Sequence, residues 1–180
     1  MTVVAAVLKR LIAQELEAVA DERVRTHVRS LLVEPVPILR GWDYGKPGEQ
    51  YACWGVLNHD PSNTGIVYCE EGFGPKLPWG LVWLSGDDRM SIGMDSGWFG
   101  TFMEAYFDSF AVTDLHIWRI FKTDPKTGRV PISAEQAWGR AWEQIEELRT
   151  RDPESRYDCD HSIEYGRRRE TSQETVHGAE

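Results

Sequence analysis

The chain has 180 residues, 41% of them hydrophobic and 11% aromatic, and its formal net charge is −9. This composition excludes a globally disordered protein, because eight tryptophans supply large side chains for a core. Eleven acidic and three basic residues lie between positions 41 and 115. We therefore predict no nucleic-acid partner, since a negative field in this part of the chain repels phosphate groups.

The cysteines and the apolar segments limit the class of protein further. Cys53, Cys69 and Cys159 are an odd number of cysteines without a CxxC motif, which is not the pattern of a disulfide framework. No apolar run reaches the roughly 18 residues that a membrane-spanning helix needs. We predict a cytoplasmic protein that has no membrane partner, no metal site and no cofactor.

The N-terminal region, residues 3–33, has the apolar spacing of an amphipathic helix. Its first stripe consists of Ala5, Leu8, Ile12, Leu16 and Val19, and its second of Val24, Val28 and Leu31. Asp21 lies between the stripes and is a candidate N-cap, so the pattern fits one long helix or two. Pro35 and Pro37 are predicted to end the helical region, because proline cannot continue the helical hydrogen-bond ladder.

The middle region, residues 38–94, has short β-type runs separated by turn residues. Because the connections are short, we predict an antiparallel meander and not a sheet built from βαβ units. Cys53 and Cys69 fall on two runs that can be neighbours, and we interpret both as core residues. The predicted strands are near 38–43, 50–57, 65–70, 80–85 and 89–94.

The region after the meander is predicted to return to helix over residues 97–112, where aromatic residues recur at spacings of three and four. Asp95 or Ser96 is the predicted cap of this helix. Residues 115–121 alternate between apolar and polar types, which predicts one more strand.

The last helix is predicted to begin at Ser133 and Gln136, which have the spacing of a capping box, and to end near 149. Residues 150–180 are rich in charged and small polar types and are predicted to be a disordered tail. The sequence thus predicts one α+β domain over 1–149. It consists of an N-terminal helix, an antiparallel sheet of five to six strands and two later helices packed on one face.

His59 is the candidate general base of the sequence, because it follows a strand and stands beside Asp60. The same two residues, with Ser62 and Asn63, are also the types that a turn uses for its own backbone hydrogen bonds. We interpret this segment as a turn, with catalysis as the alternative.

The most unusual segment is the loop from Glu70 to Gly80, in which prolines hold aromatic residues beside two acidic residues. Aromatic side chains on a stiff loop are good interface anchors. We therefore predict a partner-binding surface made of this loop and of the carboxylates that follow it. Its predicted residues are Glu70, Glu71, Phe73, Trp79, Asp87, Asp88 and Asp95.

The acidic stretch from Asp43 to Asp114 and the aromatic loop from Phe73 to Trp79 support a likeness to a known class. In size and charge the chain resembles the small immunity proteins that bacteria make against their own toxins. The resemblance implies a stoichiometric inhibitor whose carboxylates meet a basic toxin surface and steer association.

Two other functions remain open. The first is a hydrolase-type enzyme whose acid–base site is assembled across the sheet from His59, Glu70 or Asp95. The second is a structural protein that oligomerises through its amphipathic N-terminal helix.

Overall fold

The structure is a computed structural model, and the part of the chain that it describes contains four helices and nine strands. The described residues are 5–42, 45–71, 73–86, 91–92, 97–126 and 128–165, without the side chains of 91 and 92. The helices are α1 (Ala5–Glu17), α2 (Glu22–Leu31), α3 (Phe102–Asp108) and α4 (Trp138–Arg151). The strands are β1 (Leu32–Trp42), β2 (Gln50–His59), β3 (Thr64–Tyr68), β4 (Trp79–Trp83), β5 (Ser91–Ile92), β6 (Trp98–Phe99), β7 (Trp118–Asp124), β8 (Gly128–Pro131) and β9 (Arg156–His161). Short 3₁₀ turns occupy Asp60–Ser62 and Phe110–Asp114.

The N-terminal region forms two helices and not one. Asp21 is the N-cap of α2, and its side chain accepts a hydrogen bond from the backbone N–H of Arg23 at 2.8 Å. This bond satisfies one of the free amides of the first helical turn. The apolar stripes are buried as predicted, with Leu8, Ile12 and Leu16 from α1 and Val24 and Val28 from α2.

The first sheet has six strands in the order β5-β1-β2-β3-β4-β6. Strands β1 to β4 are antiparallel neighbours in chain order, which confirms the predicted meander. The short β5 pairs in parallel with the end of β1, and β6 pairs antiparallel with β4. The mostly antiparallel sheet, together with the helices, confirms the α+β class.

Strand β1 begins six residues earlier than predicted. It follows α2 directly and contains both Pro35 and Pro37. Among the strands that the structure describes, β1 pairs only with β2 from residue 32 to residue 40, so it is an edge of the described sheet over that stretch. Proline is tolerated in an edge strand because its missing N–H need not face a neighbour.

A second, three-stranded sheet has the order β8-β7-β9. The prediction of a disordered tail from residue 150 is wrong as far as His161, because α4 continues to Arg151 and β9 pairs antiparallel along β7. The charges of β9 are matched, since Arg129 on β8 binds both Asp158 and Asp160. Because these charges are paired within the sheet, the charged composition of β9 does not prevent it from forming a strand.

The predicted capping box of Ser133 and Gln136 does not form. Helix α4 begins two residues after Gln136, with Ala137 as its N-cap and no side-chain cap. Ser133 Oγ instead accepts the backbone N–H of Ile120 at 2.9 Å, and Gln136 forms a backbone bridge with Trp118. These two residues therefore join the segment before α4 to β7.

A capping box does form at α3, which is shorter than the predicted helix. Thr101 Oγ1 accepts the N–H of Glu104 at 3.2 Å, and the Glu104 carboxylate accepts the N–H of Thr101 at 3.1 Å. Thr101 is thus the cap, in place of the predicted Asp95 or Ser96, which lie outside the described residues.

One core joins both sheets. Helices α1, α2 and α3 contact the first sheet, and α4 contacts β7 and β9 of the second. The last helix therefore packs on a different sheet from α3. A smaller cluster lies on the opposite face of the first sheet, since side chains alternate between faces along a strand. It contains Cys53, Val67, Cys69 and Val82, with Trp42, Tyr51 and Trp98 packed against it.

None of the helices in the described part of the chain has the length and apolar character that crossing a membrane requires.

Candidate functional site

A groove of about 360 Å³ lies where α3, the 3₁₀ turn after it, the start of α4 and β9 meet. Its aromatic lining consists of Phe107, Phe110, Trp118, Trp138 and Tyr165. Its carboxylates are Glu104, Asp108 and Asp160, and no lysine or arginine is among the described residues that line it. We call this site the acidic aromatic groove.

Asp108 is the one groove carboxylate that makes no hydrogen bond or ion pair with another described residue. Glu104 is engaged in the capping box, and Asp160 binds Arg129. Asp108 is exposed and is the last residue of α3, where the negative end of the helix dipole disfavours a carboxylate. Its charge is therefore available to a ligand and contributes no evident stability.

Two aromatic side chains of the groove remain open to solvent. Phe110 is 54% exposed and Trp138 is 39% exposed, whereas Phe107 is buried and stacks on Tyr165 with ring centroids 4.1 Å apart. Large apolar side chains grouped at a concave surface indicate an interaction site. The groove thus offers aromatic surface and a free negative charge at one place.

The predicted anchors of the loop after Glu70 are placed differently. Trp79 is 3% exposed and lies in the core, where its ring contacts Tyr68 at 4.9 Å and Phe102 at 5.4 Å between centroids. The prediction that Trp79 binds a partner is therefore wrong. Its position on β4, opposite Tyr68 on β3, directs the ring into the core.

Phe73 is half-buried and packs against aromatic side chains of β1 and β6. Its ring stacks on Trp98 with centroids 5.4 Å apart and meets Trp42 edge-on at 5.9 Å. The aromatic loop thus covers the smaller cluster on the outer face of the first sheet. Most of the aromatic surface predicted for a partner is used inside the molecule.

Two predicted carboxylates of this loop are described by the structure. Glu70 accepts a hydrogen bond from the Tyr68 hydroxyl at 3.0 Å, and Glu71 is exposed. Neither lines the acidic aromatic groove. The other predicted carboxylates, Asp87, Asp88 and Asp95, lie outside the described residues.

A second polar site lies where β2, α2 and the 3₁₀ turn Phe110–Asp114 meet. His59 Nε2 is 3.0 Å from Asp114 Oδ2, and His27 Nε2 is 3.6 Å from the same oxygen. Both imidazole rings are largely buried, whereas the Asp114 side chain is 48% exposed. We call these three residues the histidine–aspartate cluster.

Hydroxyl groups hold the other nitrogen of each ring. His59 Nδ1 is 2.7 Å from Ser62 Oγ, and His27 Nδ1 is 2.7 Å from the Tyr106 hydroxyl. His59 Nε2 is within hydrogen-bond distance of the Asp114 carboxylate, so the neutral ring of His59 carries its proton on Nε2 and donates it to that carboxylate. The Ser62 hydroxyl then donates to Nδ1, so both nitrogens of the His59 ring are paired.

Burial shifts the pKa of His27 and of its hydroxyl partner Tyr106. Burial lowers the pKa of His27, and the neighbouring Asp114 carboxylate opposes that shift. Burial, and then the same carboxylate, raises the pKa of the Tyr106 hydroxyl. The tyrosine therefore remains a neutral hydroxyl that can donate to His27.

His59 and Glu70, two members of the predicted acid–base set, do not converge. His59 lies opposite Thr64 at one end of the β2–β3 pair, whereas Glu70 lies beyond Tyr68 at the other end. The strand from Thr64 to Tyr68 alone spans about 13 Å, and Glu70 follows two residues beyond its end. His59 and Glu70 therefore do not form one acid–base site, and Asp95 is outside the described residues.

The predicted neighbours Cys53 and Cys69 are indeed adjacent, and both are fully buried free thiols. A hydrogen bond to Cys69, together with burial, raises the pKa of the Cys53 thiol. A thiol that is buried in an apolar cluster and has a raised pKa, as Cys53 has, is a poor nucleophile and a poor metal ligand. This placement supports the interpretation of both cysteines as core residues.

Within the described residues, no group of three or more histidine, cysteine, aspartate or glutamate side chains is arranged to hold a metal ion. In comparisons with protein-family models, curated proteins and solved structures, the chain matched none. The geometry of the two sites is thus the basis on which function is argued.

Sequence reasoning did not find the acidic aromatic groove, because its members come from separate elements. Asp108 and Phe110 fall within the helix predicted over 97–112, and Trp138 falls within the last predicted helix. One signal was available: Phe110 lies at the end of the stripe, where a helix that stops at 108 leaves its side chain outside the core.

Proposed function

We propose that this chain is a protein-binding module that holds a basic segment of its partner in the acidic aromatic groove. The observation that carries the proposal is the Asp108 carboxylate, which has no partner in the described part of the chain, in one groove with the exposed rings of Phe110 and Trp138. A cation gains from both, because carboxylates attract it and aromatic faces bind it through their negative quadrupole.

The charge of the chain supports the same kind of partner. The excess of acidic residues between positions 41 and 115 produces a negative field that attracts a basic surface and speeds its association. Exposed carboxylates outside the groove, such as Glu71, contribute to this field without contacting the bound segment. The association rate constant should therefore fall as salt is added.

The proposal is tested with short basic peptides as probes. Acetylated and amidated pentapeptides that alternate glycine with arginine or lysine are titrated into the full chain by calorimetry. Asp108→Asn should weaken binding by about tenfold, since it removes a charge-assisted bond. The control is Glu154→Gln, which removes an exposed carboxylate outside the groove and should have little effect. Absence of peptide binding, or equal binding by Asp108→Asn, would overturn the proposal.

A further variant separates the groove from the loop surface predicted from sequence. Glu71→Gln removes an exposed carboxylate of that loop and leaves the groove unchanged. We expect it to reduce affinity by less than about twofold, because Glu71 acts only through the field. A larger loss with Glu71→Gln than with Asp108→Asn would place the binding site on the loop.

In its finer form the proposal is that the partner is a toxin and that the chain is its immunity protein. The size, the acidity and the groove support an inhibitor that binds one basic toxin. The test is to express each neighbouring coding region of the native genome with and without this chain. A neighbour that stops growth alone and not with the chain is expected, and Asp108→Asn should weaken the protection. If no neighbour is toxic, the inhibitor form is wrong.

A hydrolase remains a second candidate because of one observation, the hydrogen-bond chain Ser62–His59–Asp114. In the neutral state Ser62 donates to His59 Nδ1, at 2.7 Å, and His59 Nε2 donates to Asp114, at 3.0 Å. This is the order of donors that activates a serine nucleophile. Ser62 also contacts Thr64 Oγ1 at 2.6 Å, an arrangement that serves a turn equally well.

A fluorophosphonate probe distinguishes these two roles of Ser62. An activated serine becomes covalently labelled, and the chain then hydrolyses p-nitrophenyl acetate in a way that Ser62→Ala abolishes. A serine that serves only the turn remains unlabelled, and hydrolysis does not depend on it. Absence of labelling would exclude the hydrolase.

A further inference from the structure

We infer that the side chain seated in the acidic aromatic groove is an arginine of the partner, its guanidinium paired with Asp108 and its plane against an exposed aromatic ring. This inference rests on the proposed function and specifies the ligand of the same site. It depends on the difference between the two long cationic side chains. Arginine is planar, carries five donors and is weakly hydrated, whereas the lysine ammonium is compact and strongly hydrated.

The groove combines the two features that favour a guanidinium. Its free carboxylate, Asp108, has two oxygens that can accept parallel N–H bonds from the guanidinium fork. Phe110 and Trp138 provide flat exposed rings, and tryptophan is the aromatic residue that binds cations best. A lysine ammonium uses the charge but gains less from a flat surface.

The molecule already contains an arginine bound in this manner. The guanidinium carbon of Arg129 lies 3.7 Å from the centroid of the Phe121 ring, and its Nη2 is 3.0 Å from Asp160. Asp160 also lines the groove, so one of the three groove carboxylates already pairs with an arginine. The arrangement around Arg129 has the same chemical parts, a carboxylate and an aromatic ring, as the surroundings of Asp108.

The groove is large enough for one long side chain with its adjacent backbone. Its volume of about 360 Å³ is near the lower end of the range of about 300–1,000 Å³ that ligand pockets occupy. The described lining has three carboxylates and no lysine or arginine, which opposes an acidic or phosphorylated ligand. A basic segment with one deeply seated arginine fits the shape and the charge.

The test compares three pentapeptides that differ only in one type of side chain: arginine, lysine or the neutral isostere citrulline. We expect the arginine peptide to bind about tenfold more tightly than the lysine peptide, and the citrulline peptide not to bind measurably. Asp108→Asn should weaken the arginine peptide most, and Trp138→Leu and Phe110→Leu should reduce the preference for arginine over lysine. All three variants change exposed or half-exposed side chains, and their thermal midpoints confirm that they fold.

The outcomes separate the inference from the proposed function. If arginine and lysine peptides bind equally and both depend on Asp108, arginine recognition is wrong and the basic-partner proposal is supported. If citrulline binds as well as arginine, charge is not recognised and both are wrong. If no peptide binds, or if Glu154→Gln weakens binding as much as Asp108→Asn, the groove is not the site and both are wrong.

Discussion

His59 is joined to Asp114 across 55 residues of sequence, with Nε2 of the imidazole 3.0 Å from Oδ2 of the carboxylate. The contact ties β2 to the 3₁₀ turn Phe110–Asp114, and His27 of α2 approaches the same oxygen. Phe110, Val112 and Thr113 of that turn line the acidic aromatic groove. The histidine–aspartate cluster therefore holds one wall of the groove against the main core.

The stability of the fold is expected to decrease when the solution is acidified below pH 6.5. Burial lowers the pKa of His27 in the folded chain, so the unfolded chain, in which histidine titrates near 6.5, takes up more protons in the window below that value. The free energy of unfolding therefore rises with pH through this window. Above pH 6.5 the neutral His27 makes its full contribution to stability. Urea unfolding at pH 7.5 and pH 5.5 should show a lower midpoint at pH 5.5.

Replacement of His27 by glutamine should make the urea midpoint less sensitive to pH, because the group that resists protonation is gone. The matched control is His116→Gln, which changes an exposed histidine that has no hydrogen bond, ion pair or ring contact with the described residues. The control should retain the pH dependence of the unaltered chain. An unchanged pH dependence in His27→Gln would show that His27 is not its source.

Glu15 of α1 is predicted to stabilise α3 from outside that helix. Its carboxylate accepts the backbone N–H of Phe102 at 3.2 Å and of Met103 at 2.8 Å, two amides that the first turn of a helix leaves free. Glu15→Ala should lower the free energy of unfolding by about 1–2 kcal/mol, because both amides lose their acceptor.

The glutamine variant distinguishes hydrogen bonding from charge at this position. Burial raises the pKa of Glu15, so the ionised carboxylate is costly in the folded chain even though it accepts two bonds. Glu15→Gln retains an oxygen acceptor without that cost and should destabilise less than Glu15→Ala. Glu17→Ala, an exposed neighbour on the same helix, should change stability by less than about 0.5 kcal/mol. Equal losses of unfolding free energy for Glu15→Ala and Glu17→Ala would show that Glu15 does not stabilise the start of α3.

Gly80 is predicted to tolerate no side chain. A Cβ atom at this position of β4 would lie 2.7 Å from two ring carbons of Trp98, far inside van der Waals contact. Gly80→Ala should destabilise the chain by about 1–3 kcal/mol through overpacking. Gly139→Ala is the matched control, because it adds the same methyl group to an open position of α4 and should stabilise by up to about 1 kcal/mol. Thermal unfolding of both variants tests this prediction. It is contradicted if the midpoint of Gly80→Ala is not lower than that of Gly139→Ala.

Local pattern was sufficient for much of the fold. The stripe of α1, the cap Asp21 and the order of β1 to β4 follow from spacing and turn chemistry. These features depend on contacts between residues close in the chain or on neighbouring strands. The capping box of Ser133 and Gln136 does not form, because Ser133 Oγ accepts the backbone N–H of Ile120, 13 residues earlier in the chain. A rule based on the spacing of neighbouring residues does not include such a contact.

The two candidate sites were less accessible to prediction, since each is assembled from distant segments. Nothing in the sequence around His59 indicates Asp114, and nothing around Asp108 indicates Trp138. The strand β9 was different, because Tyr157, Cys159 and His161 alternate with aspartates in the period of a strand. The aspartates of β9 instead favoured a disordered tail, because the sequence does not show that Arg129 pairs with Asp158 and Asp160.

The strand β9 is predicted to be an integral part of the fold, although composition suggested a dispensable tail. Tyr157 of β9 is buried in the core, and its hydroxyl donates to Asp152 at 2.8 Å. Tyr157→Ala should lower the free energy of unfolding by about 3–5 kcal/mol, because it leaves a cavity in the core. Tyr157→Phe removes only the hydroxyl and should cost about 0.5–1.5 kcal/mol. Urea unfolding of both variants measures the difference. If Tyr157→Ala unfolds at the same urea concentration as the unaltered chain, β9 does not pack on the core and the second sheet is not held as described.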